Sequence, residues 1–152
     1  MLSRINRMNK LVELAGIELD KAAQTLAALQ KECTESEEQL TSLTHYASAI
    51  DEQFSIQKKE VTSIDLLSQR GFCDKLHQAI EAQTEKVTRL KEVVDKGREE
   101  WLEKKIRKES LLALFHKLKQ KHQLELDKRE QRMLDELAAQ RVIANRSKNS
   151  SD

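Results

Sequence analysis

The sequence predicts an all-α protein made of two long helices in an antiparallel coiled-coil hairpin, with the second helix longer and overhanging. Apolar residues recur with the alternating three- and four-residue spacing of heptad positions a and d along the first third of the chain. A second run with the same spacing follows a break near residue 60. The 152 residues include no proline and only three glycines, so little interrupts a helix. We expect one domain over residues 1–152.

The first helix is predicted over about residues 3–57. Only Ser36 and Gln57 among its sixteen seam positions are not apolar, whereas a chain that is 38% hydrophobic would supply about six apolar residues by chance. A disordered chain with 35% charged residues has no reason to keep this phase, which argues against disorder. The predicted seam consists of Ile5, Met8, Val12, Ala15, Leu19, Ala22, Leu26, Leu29, Cys33, Ser36, Leu40, Leu43, Ala47, Ile50, Phe54 and Gln57.

A chain reversal is predicted at about residues 58–62, where the heptad phase is lost. Thr62 followed by Asp65 resembles a capping box, with the shorter Asp in place of Glu. Val61 and Leu66 occupy the two places of a hydrophobic staple. One continuous helix through this region is the alternative, because no glycine or proline enforces a turn.

The second helix is predicted over about residues 63–143, with a frayed tail over residues 146–152. Its apolar phase breaks around residues 102–108, where Lys104 and Lys108 fall on former seam positions. A four-residue step after Leu118 is a stutter of the kind that locally unwinds a coiled coil. The predicted seam consists of Cys73, Leu76, Ile80, Gln83, Val87, Leu90, Val94, Gly97 and Trp101, then Leu111, Phe115 and Leu118, then Leu126, Met133 and Leu137.

The two predicted helices differ in length, at roughly 80 Å and 120 Å for a rise of ~1.5 Å per residue. Folding back near residue 60 places Ile5 near residues 111–118 and leaves about 25 helical residues projecting beyond the pair. Two registers one heptad apart both match seam to seam. We favour the one that sets Ala15 against Trp101 and Leu19 against Gly97, small against large, and the other stays open.

Charge and composition limit the classes of partner. Residues 101–152 carry 13 basic and 8 acidic side chains, against 14 and 18 in residues 1–100. Because acids are mixed in throughout, a protein with an acidic surface fits this basic half better than nucleic acid. We predict no signal sequence and no membrane insertion, since no run approaches ~18 apolar residues. Cys33 and Cys73, both on seam positions, are predicted to be free thiols in a reducing cytosol.

The sequence predicts neither an enzyme nor a cofactor or metal site. A two-helix seam encloses no pocket, and we find no glycine-rich phosphate loop, nucleophile elbow or paired-carboxylate cleft. His116 and His122 are six residues apart on a helix, so their rings diverge, and His45 and His77 have no cysteine at ligand spacing.

Two surfaces invite a partner. Gln39 and Tyr46 occupy position g of helix one, and Phe72 and Ala79 occupy position g of helix two. In an antiparallel pair the two g positions share one edge, so these residues form a strip backed by Leu43 and Leu76. Either the aromatic rings cover the seam or a partner docks there. The second surface is the overhang, whose Met133 and Leu137 stripe either self-associates or is buried by a partner.

The sequence resembles the flagellar FliJ protein family over nearly its whole length. The resemblance rests on the runs Trp101-Leu-Glu-Lys-Lys-Ile-Arg107 and Glu130-Gln-Arg-Met-Leu-Asp-Glu-Leu-Ala138. The segment Glu37-Glu-Gln-Leu40 ending at Tyr46, together with Phe72, Leu76 and Ala79-Ile80-Glu81, also matches. Leu, Glu and Lys are common in all coiled coils. The Trp101 and Glu130 runs, at the distance in sequence that separates them here, are more specific to this family.

The resemblance implies a non-enzymatic stalk and escort component of the bacterial flagellar type III export apparatus, cytoplasmic and peripherally associated with the membrane at the flagellar base, that serves motility and chemotaxis. Its expected partners are the hexameric export ATPase, the cytoplasmic domain of the membrane export gate and export chaperones, and the free protein is expected to be a monomer. The gate-binding residues would be Gln39, Leu43, Tyr46, Phe72, Leu76 and Ala79. The ATPase-binding residues would be Arg4, Arg7, Arg129, Arg132, Asp135 and Glu136.

Two positions depart from the family pattern at the lower edge of the gate-binding strip. Ile50 stands where an aromatic residue is common, and Gln83 stands where a histidine can occur. Two other functions remain alternatives, namely the equivalent stalk of a virulence type III secretion system and a self-associating coiled-coil scaffold.

Overall fold

Two long antiparallel α-helices packed against each other make up the protein in a computed structural model, which describes residues 1–57 and 62–150. Helix α1 spans Leu2–Ile56 and the longer α2 spans Ser63–Ser150. The prediction of an all-α antiparallel coiled coil with a longer second helix is confirmed. The predicted turn and Val61 of the predicted staple lie outside the described residues.

The seam of α1 keeps the predicted phase throughout. Every predicted position from Ile5 to Phe54 is buried or half-buried. Gly16 is the single other described residue of this helix that is not exposed. Gln57, the last predicted position, is exposed and follows the end of the helix. Burial at every third and fourth residue is the pattern that heptad packing produces.

Thr62 caps the start of α2 as the sequence predicts. Its hydroxyl lies 2.8 Å from a carboxylate oxygen of Asp65 and accepts a hydrogen bond from the Asp65 amide at 3.4 Å. The backbone amide of Leu66 also donates to the Thr62 carbonyl oxygen. These bonds satisfy donors that the first turn of a helix otherwise leaves without partners.

The predicted phase break in α2 is wrong, because the two helices keep packing in the same heptad phase through it. The residues at these seam positions are lysines, as the sequence shows, but they are still shielded. Lys104 and Lys108 are half-buried on seam positions, and the shielded positions continue in phase through His122 and Glu125. A long lysine stem covers apolar neighbours while its ammonium group stays near water, so the seam accepts lysine without changing register.

The C-terminal end of α2 also differs from the prediction, because the helix continues to Ser150 rather than fraying after about Ile143. No glycine or proline lies in residues 144–150 to end it. The Ser150 hydroxyl donates to the Ser147 carbonyl oxygen at 3.1 Å. The last two residues of the predicted tail lie outside the described residues.

The helices contribute to two compact units, and the expectation of one domain stays a prediction. The central unit consists of Glu18–Lys105. Its buried seam contains Cys33, Ser36, Ala47, Val87 and Val94. Small and β-branched side chains dominate this list, as expected for a two-helix seam with little depth.

The register of the central unit is the alternative one, one heptad from the register that we favoured. A Cβ atom placed on Gly97 would lie 3.2 Å from Leu29 Cδ1 and 3.6 Å from Leu26 Cδ1. Leu26 rather than Leu19 therefore packs against the glycine. Both registers put leucine on Gly97, so the small-against-large argument did not distinguish them.

The terminal unit consists of Met1–Ile17 together with Ile106–Asp152. Ile5, Ala15 and Phe115 are buried in it. The Lys108 side chain lies against Gly16, where an added Cβ would meet its Cε and Nζ atoms at 3.7 Å. Residues 126–150 are exposed at every position, and we refer to them as the overhang.

Within residues 1–57 and 62–150, neither helix has a stretch apolar enough to cross a lipid bilayer.

Candidate partner-binding surfaces

The predicted gate-binding strip lies on one edge of the central unit. An ion pair between Lys91 Nζ and Glu37 Oε1, at 3.6 Å, joins the two e positions on the opposite edge. With that register, the g positions pair Tyr46 with Phe72 and Gln39 with Ala79. The six strip residues are thus on one edge, as the sequence predicts; their role in binding stays a prediction.

The aromatic residues of the strip are partly open to solvent. Tyr46 is 51% exposed and Phe72 is 42% exposed, while Leu43 and Leu76 beneath them are half-buried. Each residue therefore has part of its surface buried in the chain and part of it open to solvent. This exposure is compatible with both interpretations of the strip, seam cover and docking surface.

Gln83, one of the two departures from the family pattern, has a packing role at the edge of the strip. Its side-chain amide donates to the Ser36 carbonyl oxygen at 2.9 Å and to the Gln39 side-chain oxygen at 3.3 Å. Gln39 is thereby oriented by the partner helix. Ile50, the other departure, is half-buried on the seam and presents less surface to a partner than an exposed aromatic ring would.

Three of the predicted ATPase-binding residues lie at one end of the terminal unit. Arg129, at the start of the overhang, lines a shallow groove with His122, Glu125 and Leu126 of α2, and Met1, Leu2 and Ser3 line it from the other chain end. Arg4 and Arg7 follow in the first turns of α1, and both are exposed. The Arg7 Nε–H donates to the Ser3 carbonyl oxygen at 3.4 Å.

The other three predicted ATPase-binding residues, Arg132, Asp135 and Glu136, are exposed on the overhang. The Gln131 amide donates to an Asp135 carboxylate oxygen at 3.2 Å within the helix. Met133 is 64% exposed and Leu137 is 53% exposed, so the apolar stripe is open along its length. An exposed stripe at helical spacing is the typical form of a helix-docking surface.

The two cysteines are free thiols in the central unit, as the sequence predicts, with Cys33 buried and Cys73 half-buried. Burial, together with the neighbouring Glu37 carboxylate, raises the pKa of the Cys33 thiol. Burial and a hydrogen bond to Asp51, with Sγ 3.6 Å from Oδ1, raise the pKa of the Cys73 thiol. Raised pKa values favour the unreactive neutral thiol, so neither group is a prepared nucleophile.

No group of three or more His, Cys, Asp or Glu side chains is arranged to hold a metal ion in the part of the chain that the structure describes. The His116 and His122 side chains differ in shielding, since His116 is exposed and His122 is half-buried.

A comparison with family models matches residues 3–147 to the flagellar FliJ protein family, which covers nearly the whole chain. The chain belongs to the FliJ family. The resemblance recognised in the sequence is therefore confirmed. No curated protein and no solved structure matches the chain significantly.

Membership of the FliJ family makes the chain a component related to flagellar protein export. The family is a non-enzymatic family of structural and escort proteins. Two long helices with exposed apolar side chains fit such a role.

Three exposed leucines of the terminal unit, Leu11, Leu14 and Leu114, belong to none of the surfaces predicted from the sequence. None of them lies on the seam. The available signal was their heptad position, because all three fall at g or c, on one edge of the pair.

Proposed function

We propose that this FliJ-family chain is a non-enzymatic stalk and escort component of the flagellar type III export apparatus. In this proposal it binds the hexameric export ATPase and the cytoplasmic domain of the membrane export gate, and it handles export chaperones. The observation that carries the proposal is the overhang, a long helical segment with an open apolar stripe.

The ATPase is proposed to cover this stripe. Met133, Leu134 and Leu137 each expose more than half of their surface, and Leu126 is also exposed. Burying apolar surface stabilises a complex by roughly 25 cal/mol per Å² before the costs of association are subtracted. Arg132 and Arg129 flank the stripe, and Asp135 and Glu136 add acceptors, so the segment supplies both apolar and charged contacts.

The strip on the central unit is proposed to bind the export gate. The partly exposed Tyr46 and Phe72 would be its anchors, because aromatic residues contribute strongly to protein interfaces. In this proposal the chain works at the cytoplasmic side of the membrane, at the flagellar base, and is a monomer when free.

Mixing the full chain with its cognate export ATPase tests the proposal. We expect faster ATP hydrolysis and more hexameric ATPase than with the ATPase alone. The Met133→Ser/Leu137→Ser variant should lose this effect while its helical circular dichroism is unchanged. The matched control is Val93→Ser/Leu102→Ser, which changes two exposed apolar residues of the central unit and should retain the effect. An intact chain without effect on assembly or hydrolysis would contradict the proposal.

The same exposed stripe also favours a second candidate function, a self-associating scaffold in which overhangs pair between chains. Light scattering at micromolar concentration distinguishes the two. A monomer supports the stalk, and a stable dimer that the Met133→Ser/Leu137→Ser change dissociates supports the scaffold.

A further inference from the structure

One edge of the terminal unit carries cations and leucines but no carboxylate. On α1, positions g and c are Arg4, Arg7, Leu11 and Leu14; on α2, the g positions from 107 to 121 are Arg107, Leu114 and Lys121. All seven are exposed. Lys117, at position c of α2, lies beside them and is also exposed. We refer to the surface formed by Arg4, Leu11, Leu14, Arg107, Leu114 and Lys117 as the cationic groove.

The charge of this groove is strongly one-sided. The paired segments, residues 1–17 and 106–125, contain eight Lys or Arg residues and three acids. The acids, Glu13, Glu109 and Glu125, lie at heptad positions b or d rather than on the groove edge. Among the described residues, neither of these two segments takes part in an ion pair, whereas Lys91–Glu37, Arg98–Asp95 and Lys104–Glu18 pair in the central unit.

Two leucines of the groove, Leu11 and Leu114, lie at position g beside the seam, and Leu14 lies at position c, further from it. Leu11 is 44% exposed and Leu114 is 49% exposed, because each sits at position g beside the seam. The contact between Gly16 and Lys108 sets the register of this unit. In that register Leu11 lies across from Arg107, and Arg4 lies across from Leu114, so apolar and cationic side chains alternate along both walls.

We propose that the cationic groove binds an acidic amphipathic helix of a partner protein. A third helix laid between two others would bury Leu11, Leu14 and Leu114 with its own apolar stripe. Carboxylates beside that stripe would pair with Arg4, Arg107 and Lys117, which have no ion-pair partner within residues 1–57 and 62–150. A bilayer is flat and meets the outermost positions of a helix pair, whereas Leu11 and Leu114 lie at g positions beside the seam. Phosphate groups of nucleic acid would use the cations but leave the leucines exposed.

The groove is defined without reference to the overhang stripe, although Arg4 is also among the residues proposed to contact the ATPase. Its test therefore requires no ATPase. The probe is a synthetic helical peptide of about four heptads with Leu at positions a and d and Glu at positions e and g. The comparison peptide has Lys in place of each Glu. Fluorescence anisotropy measures binding of each labelled peptide to the full chain.

We expect the acidic peptide to bind at least about tenfold more tightly than the basic one, with affinity falling as salt rises. Leu11→Ser/Leu114→Ser and Arg107→Glu/Lys117→Glu should each weaken binding about tenfold or more. Lys86→Glu/Arg89→Glu, a matched reversal of two exposed cations in the central unit, should not. Met133→Ser/Leu137→Ser should also leave it unchanged, which separates this groove from the overhang.

Leucine methyl NMR of the full chain shows which leucines the peptide contacts. A variant that merely unfolds would change all leucine signals rather than those of the groove. Signals of Leu11, Leu14 and Leu114 should shift on addition of the acidic peptide, while that of Leu90 in the central unit should not. Equal binding of the two peptides would overturn the proposal. So would binding of phosphatidylglycerol vesicles or duplex DNA through Arg107 and Lys117 without any binding of the acidic peptide.

Discussion

The side-chain amide of Gln83 reaches across the seam and donates a hydrogen bond to the backbone carbonyl oxygen of Ser36 at 2.9 Å. Ser36 is 3% exposed, which makes it the most buried polar residue of the described chain. Cys33 precedes Ser36 on the seam of α1 and Val87 follows Gln83 on the seam of α2, and both are buried and apolar. A polar contact inside an apolar coiled-coil seam favours the helix alignment in which its donor and acceptor meet.

Replacing Gln83 by Ala should lower the free energy of unfolding by about 1 kcal/mol, because a cross-helix hydrogen bond in a shielded seam is lost. Urea unfolding followed by circular dichroism measures this change. Gln78→Ala, on the exposed face of the same helix, is the matched control and should have little effect. Equal effects of the two substitutions would mean that the hydrogen bond between Gln83 and Ser36 does not stabilise the helix pair.

The three glycines should respond differently to alanine. Gly71 has open space around an added Cβ, and Gly16 would meet Lys108 at ordinary contact distance. Alanine at these positions should stabilise the helices by roughly 0.5–1 kcal/mol each, since glycine has low helix propensity. At Gly97 the added Cβ would lie 3.2 Å from Leu29 Cδ1, so part of this gain should be lost. Urea midpoints rank the variants, and a Gly97→Ala gain as large as that of Gly71→Ala would contradict the tight packing.

Tyr46 and Phe72 offer a test of the gate-binding strip. Changing both to Ala should weaken binding to the cytoplasmic domain of the export gate while leaving helicity largely intact, because about half of each ring is already exposed. Affinity measurements and thermal melting are run on the same samples. The control is Ile64→Ala/Leu67→Ala, which removes exposed apolar surface elsewhere on α2. If melting collapses and the loss of binding merely follows it, the rings are seam cover.

The two thiols should alkylate slowly in the folded protein, with Cys33 slower than Cys73, because Cys33 is more shielded and iodoacetamide reacts with the thiolate. Burial raises the pKa of both thiols, so the folded state favours their protonated form. The contribution of each thiol to the free energy of unfolding therefore declines as pH rises above the pKa of the thiol in the unfolded chain. Cys33→Ser and Cys73→Ser variants report one thiol each, and urea-unfolded samples set the reference rate. A Cys33 rate equal to the unfolded rate at pH 8 would contradict its burial.

The sequence identified the helices and their seams well because heptad spacing repeats over many turns. Ile5 through Phe54 all occupy shielded positions, and the Thr62 cap lies where its hydroxyl and Asp65 predict it. The same reasoning placed Tyr46 and Phe72 on one edge, because positions g share an edge in any antiparallel pair. It failed at Lys104 and Lys108, since residue type alone does not show that a lysine stem covers a seam.

The sequence by itself determined that this chain forms paired helices, which edges they share and to which family it belongs. Only the tertiary structure decided which of two registers the helices adopt, because a periodic seam matches itself again after every heptad. Specific contacts distinguish the two, namely Leu26 and Leu29 against Gly97 and the ion pair between Lys91 and Glu37. The tertiary structure also set Leu11 across from Arg107, since residues so far apart in sequence become neighbours only once the register is fixed.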